Sequence, residues 1–172
     1  MSLCRKTLAL AASFLNAQFY ENLVNSCMNV SLPVQLLKPH IRSNIHPTAI
    51  VHDEVFVDDD VVIGPYSCIG PGVVLGQGCR VSSHVSIHKD TIIGDHSIIH
   101  SFSSIGGDPQ DLKYATERTW LILGSQNTIR EYVSVNRGTG AGGGITKSGR
   151  SCLIMSNCHV SITDHIHGVF KF

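Results

Sequence analysis

Four polar side chains lie close together between residues 110 and 114. Gln110, Asp111, Lys113 and Tyr114 place an amide, a carboxylate, an ammonium group and a phenol in one short segment. An acceptor, an acid and a cation in this arrangement can bind a sugar hydroxyl and a phosphate. The same residue types occur on ordinary solvated loops, so the segment alone does not identify a ligand. The elements that would position it must be found in the rest of the chain.

An aliphatic residue recurs at every sixth position upstream of this segment. The row consists of Ile45, Val51, Val57, Ile63, Ile69, Leu75, Val81, Ile87, Ile93, Ile99 and Ile105. A helix needs apolar residues every three or four positions and a half-buried strand every two, so neither fits. A period of six is typical of a parallel β-helix with coils of about eighteen residues. We therefore predict an all-β solenoid that begins near Ile45, with the aliphatic row pointing inward.

Two further rows support the solenoid. Small or β-branched residues lie four positions after each aliphatic one and are predicted to form a second inward row: Ala49, Val55, Val61, Ser67, Val73, Cys79, Val85, Thr91, Ser97 and Ser103. Glycine directly follows the aliphatic residue at 64, 70, 76, 94 and 106, where we expect it to permit a sharp corner. The alternative, a sandwich built from hairpins, would need turn signals at irregular spacings of about 8–12 residues.

Two segments interrupt the period. Residues 107–122 follow a pause at Gly106, and the glycine-rich residues 138–147 follow a resumed stretch of hexads. The second segment is not a Walker loop, because Thr146 rather than glycine precedes Lys147. Insertions in a solenoid form loops on one face, where binding residues are common. The polar segment 110–114 is therefore predicted to lie on the first loop.

Ten histidines raise the alternative of a zinc site like that of the gamma-type carbonic anhydrases. Ligands on one face of this solenoid should lie eighteen residues apart, and no two histidines do. The pairs His84/His96 and His88/His100 are twelve apart and are expected to fall on different faces. Because zinc needs three or four convergent ligands, we expect no metal within one subunit and leave open only a site between subunits.

Composition excludes several other classes. The formal net charge of the 172 residues is zero, with no basic run and few aromatic residues, which argues against nucleic-acid binding. The six cysteines form no C-x-x-C pair, which argues against a zinc ribbon or a redox motif. We expect no cofactor.

Residues 1–44 differ in composition from the repeats. They contain one acidic residue, Glu21, and an apolar patch between Leu8 and Leu15 that is too short for a transmembrane span of roughly 20 residues. The basic, serine-containing and acid-poor character is typical of an organelle transit segment. We expect a disordered segment that directs the chain to the mitochondrion, with the chloroplast as the alternative. A secretory signal and a simple disordered extension remain open.

A family resemblance emerges when five segments are taken together. They are Gln110-Asp111-Leu112-Lys113-Tyr114, Ile129-Arg130-Glu131, Arg137-Gly138-Thr139, Gly142-Gly143-Gly144 and Asn157-Cys158-His159. In order and spacing they resemble the UDP-N-acetylglucosamine 3-O-acyltransferases, which begin lipid A biosynthesis by moving a 3-hydroxyacyl chain from acyl carrier protein to the sugar. The resemblance covers about Ile45 to Val160. It implies a left-handed parallel β-helix, a homotrimer and active sites between neighbouring subunits.

The resemblance also implies roles for particular residues. Asp111 and Lys113 match the family's substrate-contacting acid and lysine, and Gln110 matches the adjoining contact. His159 matches the first histidine of a family stretch that reads roughly N-A-H-I-A-H-D. The second histidine of that stretch is the general base that takes the proton from the sugar 3-hydroxyl, and Ile162 occupies its position here.

No intact catalytic residue is therefore expected. Thr163 stands where the family has the orienting aspartate. His165 is a candidate substitute base, but it lies three residues, or half a hexad, after Ile162 and is expected to face another direction. After Val160 the sequence departs from the family, whose remaining coils and C-terminal helical domain have no counterpart here. We interpret the chain as a C-terminally shortened acyltransferase with impaired catalysis, or alternatively as a non-catalytic solenoid that joins trimers or acts as a scaffold.

Overall fold

The computed structural model describes residues 43–161 and, for residues 165–166 and 169–170, the backbone alone. Residues 1–42, and with them nearly all of the predicted transit segment, lie outside the described residues. The first described strand is β1 (Asn44–Ile45), so strand structure begins where the aliphatic row begins.

The described strands are short, and most contain two residues. After β1 come β2 (Ile50–Val51), β3 (Phe56–Val57), β4 (Val62–Ile63), β5 (Cys68–Ile69), β6 (Val74–Leu75), β7 (Arg80–Val81), β8 (Ser86–Ile87), β9 (Thr91–Ile93), β10 (Ile98–Ile99), β11 (Ser104–Gly107), β12 (Trp120–Leu123), β13 (Thr128–Ile129), β14 (Ser134–Asn136), β15 (Ile145–Ser148), β16 (Leu153–Ile154), β17 (His159–Val160), β18 (His165–Ile166) and β19 (Val169–Phe170). A 3₁₀-helix occupies Gly140–Gly142, and residues 43–161 contain no α-helix.

Three parallel sheets form the walls of the solenoid. The first sheet contains β1, β4, β7, β10, β13, β16 and β19, the second β2, β5, β8, β11, β14 and β17, and the third β3, β6, β9, β12, β15 and β18. Partners such as Ile45 and Ile63, or Ile63 and Val81, are eighteen residues apart in sequence. The chain winds as a left-handed parallel β-helix, which confirms the predicted fold class.

The aliphatic row forms the core of the solenoid. Its members from Val57 onward are buried, and Ile87 is 2% exposed, so the inward direction predicted for the row is correct. The row continues past the first loop through Leu123, Ile129 and Val135. Full burial of one such side chain contributes about 1.5–3 kcal/mol, so this row is the main apolar contribution to stability.

The polar members of the second inward row are buried and hydrogen bonded. Ser67 Oγ donates to the carbonyl oxygen of Ser82 over 2.8 Å, and Ser103 Oγ donates to that of Arg130 over 2.8 Å. Each bond joins one coil to the next. Because a buried hydroxyl without a partner would cost free energy, these bonds explain why serine is tolerated among the aliphatic residues.

The corners differ in one respect from the prediction. Gly64 does not have a positive φ; a Cβ added there would lie 2.8 Å from the backbone carbon of Ser82, so glycine allows close approach of the coils. Positive φ occurs instead three residues after the aliphatic residue, as at Tyr66 (59°) and Phe102 (63°). Only at Gly106 (78°) does a glycine next to the aliphatic residue supply the left-handed conformation that we expected.

Four rings form a stack along the corner between the first and second sheets. Tyr66, His84, Phe102 and Tyr132 have successive centroid distances of 5.2, 5.1 and 5.2 Å. Each ring belongs to a residue with positive φ. We call this row the corner stack; its geometry lies in the range of favourable aromatic contacts.

In the part of the chain that the structure describes, no helix is long and apolar enough to cross a membrane.

Candidate functional site

The first loop leaves the second sheet after Gly107 and returns at Trp120, the first residue of β12. Its irregular part is residues 108–119, shorter than the segment 107–122 inferred from the hexad pattern. The difference arises because Trp120 to Ile122 pair with β15, so hydrogen bonding to the next coil extends the strand beyond the aliphatic repeat.

A buried arginine fixes the start of this loop. Arg137 is 1% exposed, donates from Nη2 to the carboxylate of Asp108 and from Nη1 to the carbonyl oxygen of Gly106. Its own backbone N–H donates to the carbonyl oxygen of Gly107 over 2.9 Å. Asn136 donates from its side chain to the backbone carbonyl of Asp108. Since a buried guanidinium needs both a charge partner and acceptors, this cluster defines where the loop emerges.

The tip of the loop is shaped by Asp111. Its Oδ1 accepts the backbone N–H of Lys113 over 2.9 Å, and its carbonyl oxygen accepts the N–H of Tyr114 over 3.0 Å. This is the local side-chain to backbone bonding that aspartate commonly provides in turns. Asp111 is half-buried, whereas Gln110 and Lys113 are exposed. The turn therefore holds the Asp111 carboxylate in place and leaves the Lys113 ammonium group open to a ligand.

The other end of the loop is held by charge and by stacking. Arg118 Nη2 lies 3.1 Å from Asp90 Oδ1, and its guanidinium lies 4.9 Å from the centroid of the Trp120 ring. The Tyr114 hydroxyl donates to the carbonyl oxygen of Glu117 over 3.1 Å. The polar segment is thus carried on a loop that is fixed at both ends.

The second, glycine-rich loop packs beside the first. The backbone N–H of Trp120 donates to the carbonyl oxygen of Gly144 over 2.8 Å, and that of Gly138 donates to the carbonyl oxygen of Trp120 over 3.3 Å. A Cβ at Gly138 would lie 2.3 Å from the backbone nitrogen of Ile145, so glycine is needed for this contact. Thr139 caps the 3₁₀-helix by accepting the N–H of Gly142. The two loops therefore form one structural unit.

His159 projects from the outer face of the second sheet. It is exposed and pairs in register with Ser134 on the neighbouring strand. The Oγ of Ser134 lies 2.6 Å from His159 Nδ1. In the described part of the chain, no hydrogen bond or ion pair joins His159 to Asp111 or Lys113. The structure therefore places the loop and His159 on or beside the same sheet without direct contact between them.

Ile162 and His165 are the two positions considered for the catalytic base, and the structure describes only the second of them. Ile162 lies outside the described residues. His165 is described only by its backbone, which belongs to β18 of the third sheet and pairs with Lys147. His159 belongs to the second sheet, so the backbones of the two histidines are on different walls of the solenoid.

A surface groove of about 490 Å³ lies next to the base of the first loop. Its lining includes Cys68, His88, Asp108 and Arg137. Burial, followed by the positive charge of Arg137, lowers the pKa of His88 below its usual value. The Nε2 of His88 lies 3.0 Å from Ser104 Oγ. Arg137 and Asp108 form the ion pair beside this groove.

Arg137 is the residue whose role the sequence did not reveal. It is part of the motif that carried the resemblance, but nothing in that motif indicates that its side chain is buried. Two sequence features could have indicated the ion pair. An acidic residue, Asp108, begins the inserted loop, and Arg137 directly follows strand β14 on the next coil.

Among the residues that the structure describes, no group of three or more His, Cys, Asp or Glu side chains is arranged to hold a metal ion.

Comparisons with known proteins agree with this architecture. A family model described as the GMPPB C-terminal domain matches residues 45–142. The acyl-[acyl-carrier-protein]--UDP-N-acetylglucosamine O-acyltransferase of Psychrobacter cryohalolentis is 59% identical over 119 residues, which are 69% of this chain and 46% of the relative. The protein of the same name from Rickettsia canadensis is 50% identical over 118 residues, covering 69% and 45%.

A solved structure gives the same result. The crystal structure of UDP-N-acetylglucosamine O-acyltransferase from Moraxella catarrhalis matches with a TM-score of 0.68 and 44% identity, over 69% of this chain and 46% of that one. The chain thus spans about half the length of the curated relatives it matches.

Proposed function

We propose a function in O-acyl transfer, because the chain belongs to the GMPPB C-terminal domain family over residues 45–142 and is 50% and 59% identical, over 69% of its length, to two acyl-[acyl-carrier-protein]--UDP-N-acetylglucosamine O-acyltransferases. The reaction is transfer of a 3-hydroxyacyl chain from acyl carrier protein to the 3-hydroxyl of UDP-N-acetylglucosamine, the first step of lipid A-type biosynthesis. The observation that carries the proposal is the first loop, whose start is held by the ion pair between the buried Arg137 and the exposed Asp108, beside the sheet that bears His159.

We assign sugar-nucleotide binding to Gln110, Asp111, Lys113 and His159. The exposed Lys113 suits a phosphate oxygen, and the free oxygen of the Asp111 carboxylate suits a sugar hydroxyl. A charge-assisted contact contributes about 1.5–3 kcal/mol. The donor and the acceptor of the acyl group are both substrates, so the proposal requires no cofactor.

Binding of UDP-N-acetylglucosamine to the chain tests this assignment. We expect Lys113→Ala to weaken binding by roughly tenfold or more, as measured by calorimetry. Arg80→Ala is the matched control, because Arg80 is an exposed cation on the first sheet, away from the loop. Equal affinity of Lys113→Ala and the unsubstituted chain would remove the loop from the site.

We further propose that the chain is catalytically impaired. Acyl transfer requires the sugar hydroxyl to lose its proton during attack, and a positioned base contributes typically about 10²–10⁴-fold to the rate. The side chain of Ile162 cannot accept a proton, and His165 belongs to a different sheet from His159. This leaves His159 to bind the sugar nucleotide without a partner that acts as base.

A homotrimer with sites between subunits is part of the proposal. Its support is the resemblance to the acyltransferases, and sedimentation velocity of the chain measures the association state directly. We expect a species of three times the monomer mass. A monodisperse monomer that still binds UDP-N-acetylglucosamine would contradict sites shared between subunits.

A second candidate function is that of a non-catalytic subunit. The absence of a base at Ile162, together with a well-formed substrate loop, favours a chain that joins complete acyltransferase chains in mixed trimers or acts as a scaffold. Co-expression of this chain with a full-length acyltransferase relative that carries a different tag, followed by affinity purification, tests it. Recovery of only one tag in every preparation excludes mixed trimers.

For localisation we propose the mitochondrion, with the chloroplast as the alternative. The support is the acid-poor composition of residues 1–44. A fluorescent protein fused after residue 44 should accumulate in the organelle, and a fusion that begins at residue 45 should not.

A further inference from the structure

Ser134 and His159 form a pair whose geometry goes beyond simple proximity. They are in-register partners on adjacent parallel strands, and the backbone N–H of Ser134 donates to the carbonyl oxygen of Cys158 over 3.1 Å. Side chains of in-register residues point to the same side of a sheet, about 4.8 Å apart at the backbone. The hydroxyl of Ser134 is therefore held beneath the imidazole of His159 by the sheet itself.

The hydrogen bond uses one particular ring nitrogen. Ser134 Oγ lies 2.6 Å from Nδ1 of His159, the nitrogen nearer the backbone. Ser134 is half-buried and His159 is exposed, and Nε2 of His159 has no hydrogen-bond partner among the residues that the structure describes. In a neutral imidazole one nitrogen donates and the other accepts. If Nδ1 accepts the hydrogen bond from Ser134, Nε2 carries the proton and can donate to a ligand. If Nδ1 donates to Ser134, Nε2 can only accept.

We propose that Ser134 is a positioning residue that donates to Nδ1 of His159 and thereby keeps the ring proton on Nε2, where it is donated to an oxygen of the bound sugar nucleotide. This inference rests on the proposed function for its ligand. A sugar nucleotide presents acceptor oxygens on its phosphates and on its acetamido carbonyl, and a donor at the exposed edge of His159 is complementary to them.

The neighbouring serine provides an internal comparison. Ser104 is the in-register partner of Ser134 on the opposite side, and its hydroxyl lies 3.0 Å from Nε2 of His88. Ser104 is thus engaged with a different histidine through the other ring nitrogen. Ser134 has His159 as its side-chain partner, and His159 alone has its outer nitrogen free for a ligand in this arrangement.

The tautomer can be measured without any activity. In the chain labelled with ¹⁵N-histidine, ring nitrogen shifts assign the protonated nitrogen of His159, with His159→Gln identifying its signals. We expect the proton on Nε2 in the unsubstituted chain and in Ser134→Thr, which keeps the hydroxyl. Ser134→Ala should shift the population toward a proton on Nδ1, and Ser104→Ala should leave the His159 signals unchanged.

Ligand binding supplies the second readout. Ser134→Ala should weaken UDP-N-acetylglucosamine binding by about threefold to tenfold, the effect of one hydrogen bond, and Ser134→Thr should restore it. A proton on Nδ1 in the unsubstituted chain, or His159 signals unchanged by Ser134→Ala, would overturn the proposal. Failure of the unsubstituted chain to bind the sugar nucleotide would instead contradict the proposed function, because the tautomer is measured in the free protein.

Discussion

Arg137 and Asp108 form an ion pair although their exposures differ sharply. The Arg137 side chain is 1% exposed and that of Asp108 is 68% exposed. Arg137 also donates to the carbonyl oxygen of Gly106, while its Nε is buried without a hydrogen-bond partner. The guanidinium of Arg137 is thus buried, whereas the carboxylate of Asp108 is in contact with solvent.

This asymmetry predicts unequal effects of substitution. Arg137→Met removes a charge but also leaves the carbonyl of Gly106 and the base of the loop without their donors, so we expect a loss of about 2–4 kcal/mol in the free energy of unfolding. Asp108→Ala should cost more, about 3–5 kcal/mol, because it leaves the buried Arg137 guanidinium without its charge partner. Urea denaturation of both variants measures the difference. A loss for Asp108→Ala no larger than that for Arg137→Met would show that an unpaired guanidinium is not the costly species.

Asp111 is predicted to have two separable roles. Asp111→Asn keeps an oxygen that can accept the N–H of Lys113 and removes the charge, whereas Asp111→Ala removes both. If the carboxylate contacts the sugar, both variants should weaken UDP-N-acetylglucosamine binding, by roughly tenfold for a charge-assisted bond. The stability of Asp111→Asn should equal that of the parent. Full affinity of Asp111→Asn, with loss only in Asp111→Ala, would assign Asp111 to loop structure alone.

The repeat was predictable because burial in a narrow solenoid imposes one residue type at a fixed period. The inward direction of Ile87 and of the equivalent residues can be predicted from the sequence, because every sixth position of the repeats is aliphatic. The bonds of Ser67 and Ser103 to carbonyls of the next coil were not predictable in the same way. They depend on the distance between coils, which the hexad pattern does not contain.

The site was less predictable for a related reason. The polar residues of the first loop are evident as a cluster in the sequence. The position of the loop, however, depends on contacts with Arg137, which is distant in sequence. The pairing of Ser134 with His159 likewise follows from strand register across a coil enlarged by the second loop. Neither contact has a local sequence signal.

The corner stack predicts a characteristic response at Phe102. This residue has a φ of 63° and stacks between His84 and Tyr132. Phe102→Ala loses both contacts and keeps the unfavourable backbone conformation, so we expect a loss of about 1–3 kcal/mol. Phe102→Gly loses the same contacts but relieves the backbone, and should be at least as stable as Phe102→Ala. Thermal denaturation decides, and an unchanged melting temperature of Phe102→Ala would mean that the stack contributes nothing.

Glu131 predicts a pH dependence of stability. Hydrogen bonds from its own backbone N–H, from Arg130 and from Ser156 lower its pKa from 4.5 to about 2. Because the folded pKa is depressed, this carboxylate stabilises the fold above pH 4.5, and the contribution is lost as the pH falls from there to about 2. Glu131→Gln should therefore flatten the acid limb of the stability curve.

Asp95 provides the control for that experiment. Burial raises its pKa, so its ionisation opposes folding and Asp95→Asn should alter the acid limb in the opposite sense to Glu131→Gln. Urea titrations between pH 2 and pH 6 resolve both effects. Identical curves for the parent and for Glu131→Gln would show that the hydrogen bonds of Glu131 do not persist in solution.

The last prediction concerns acyl transfer by the chain as it stands. Thioester-dependent acylation of a sugar hydroxyl needs a base aligned with that hydroxyl, and Ile162 cannot accept a proton. We expect turnover near background when radiolabelled UDP-N-acetylglucosamine and 3-hydroxyacyl carrier protein are supplied. An extended chain that carries Ile162→His and Thr163→Asp, followed by the remaining segment of a relative, should be active by a factor of at least about 10² over the chain as it stands. Comparable turnover by both forms would mean that another histidine acts as base. His159→Ala and His165→Ala would then identify it, because the two residues belong to different sheets and are not expected to act on the same hydroxyl.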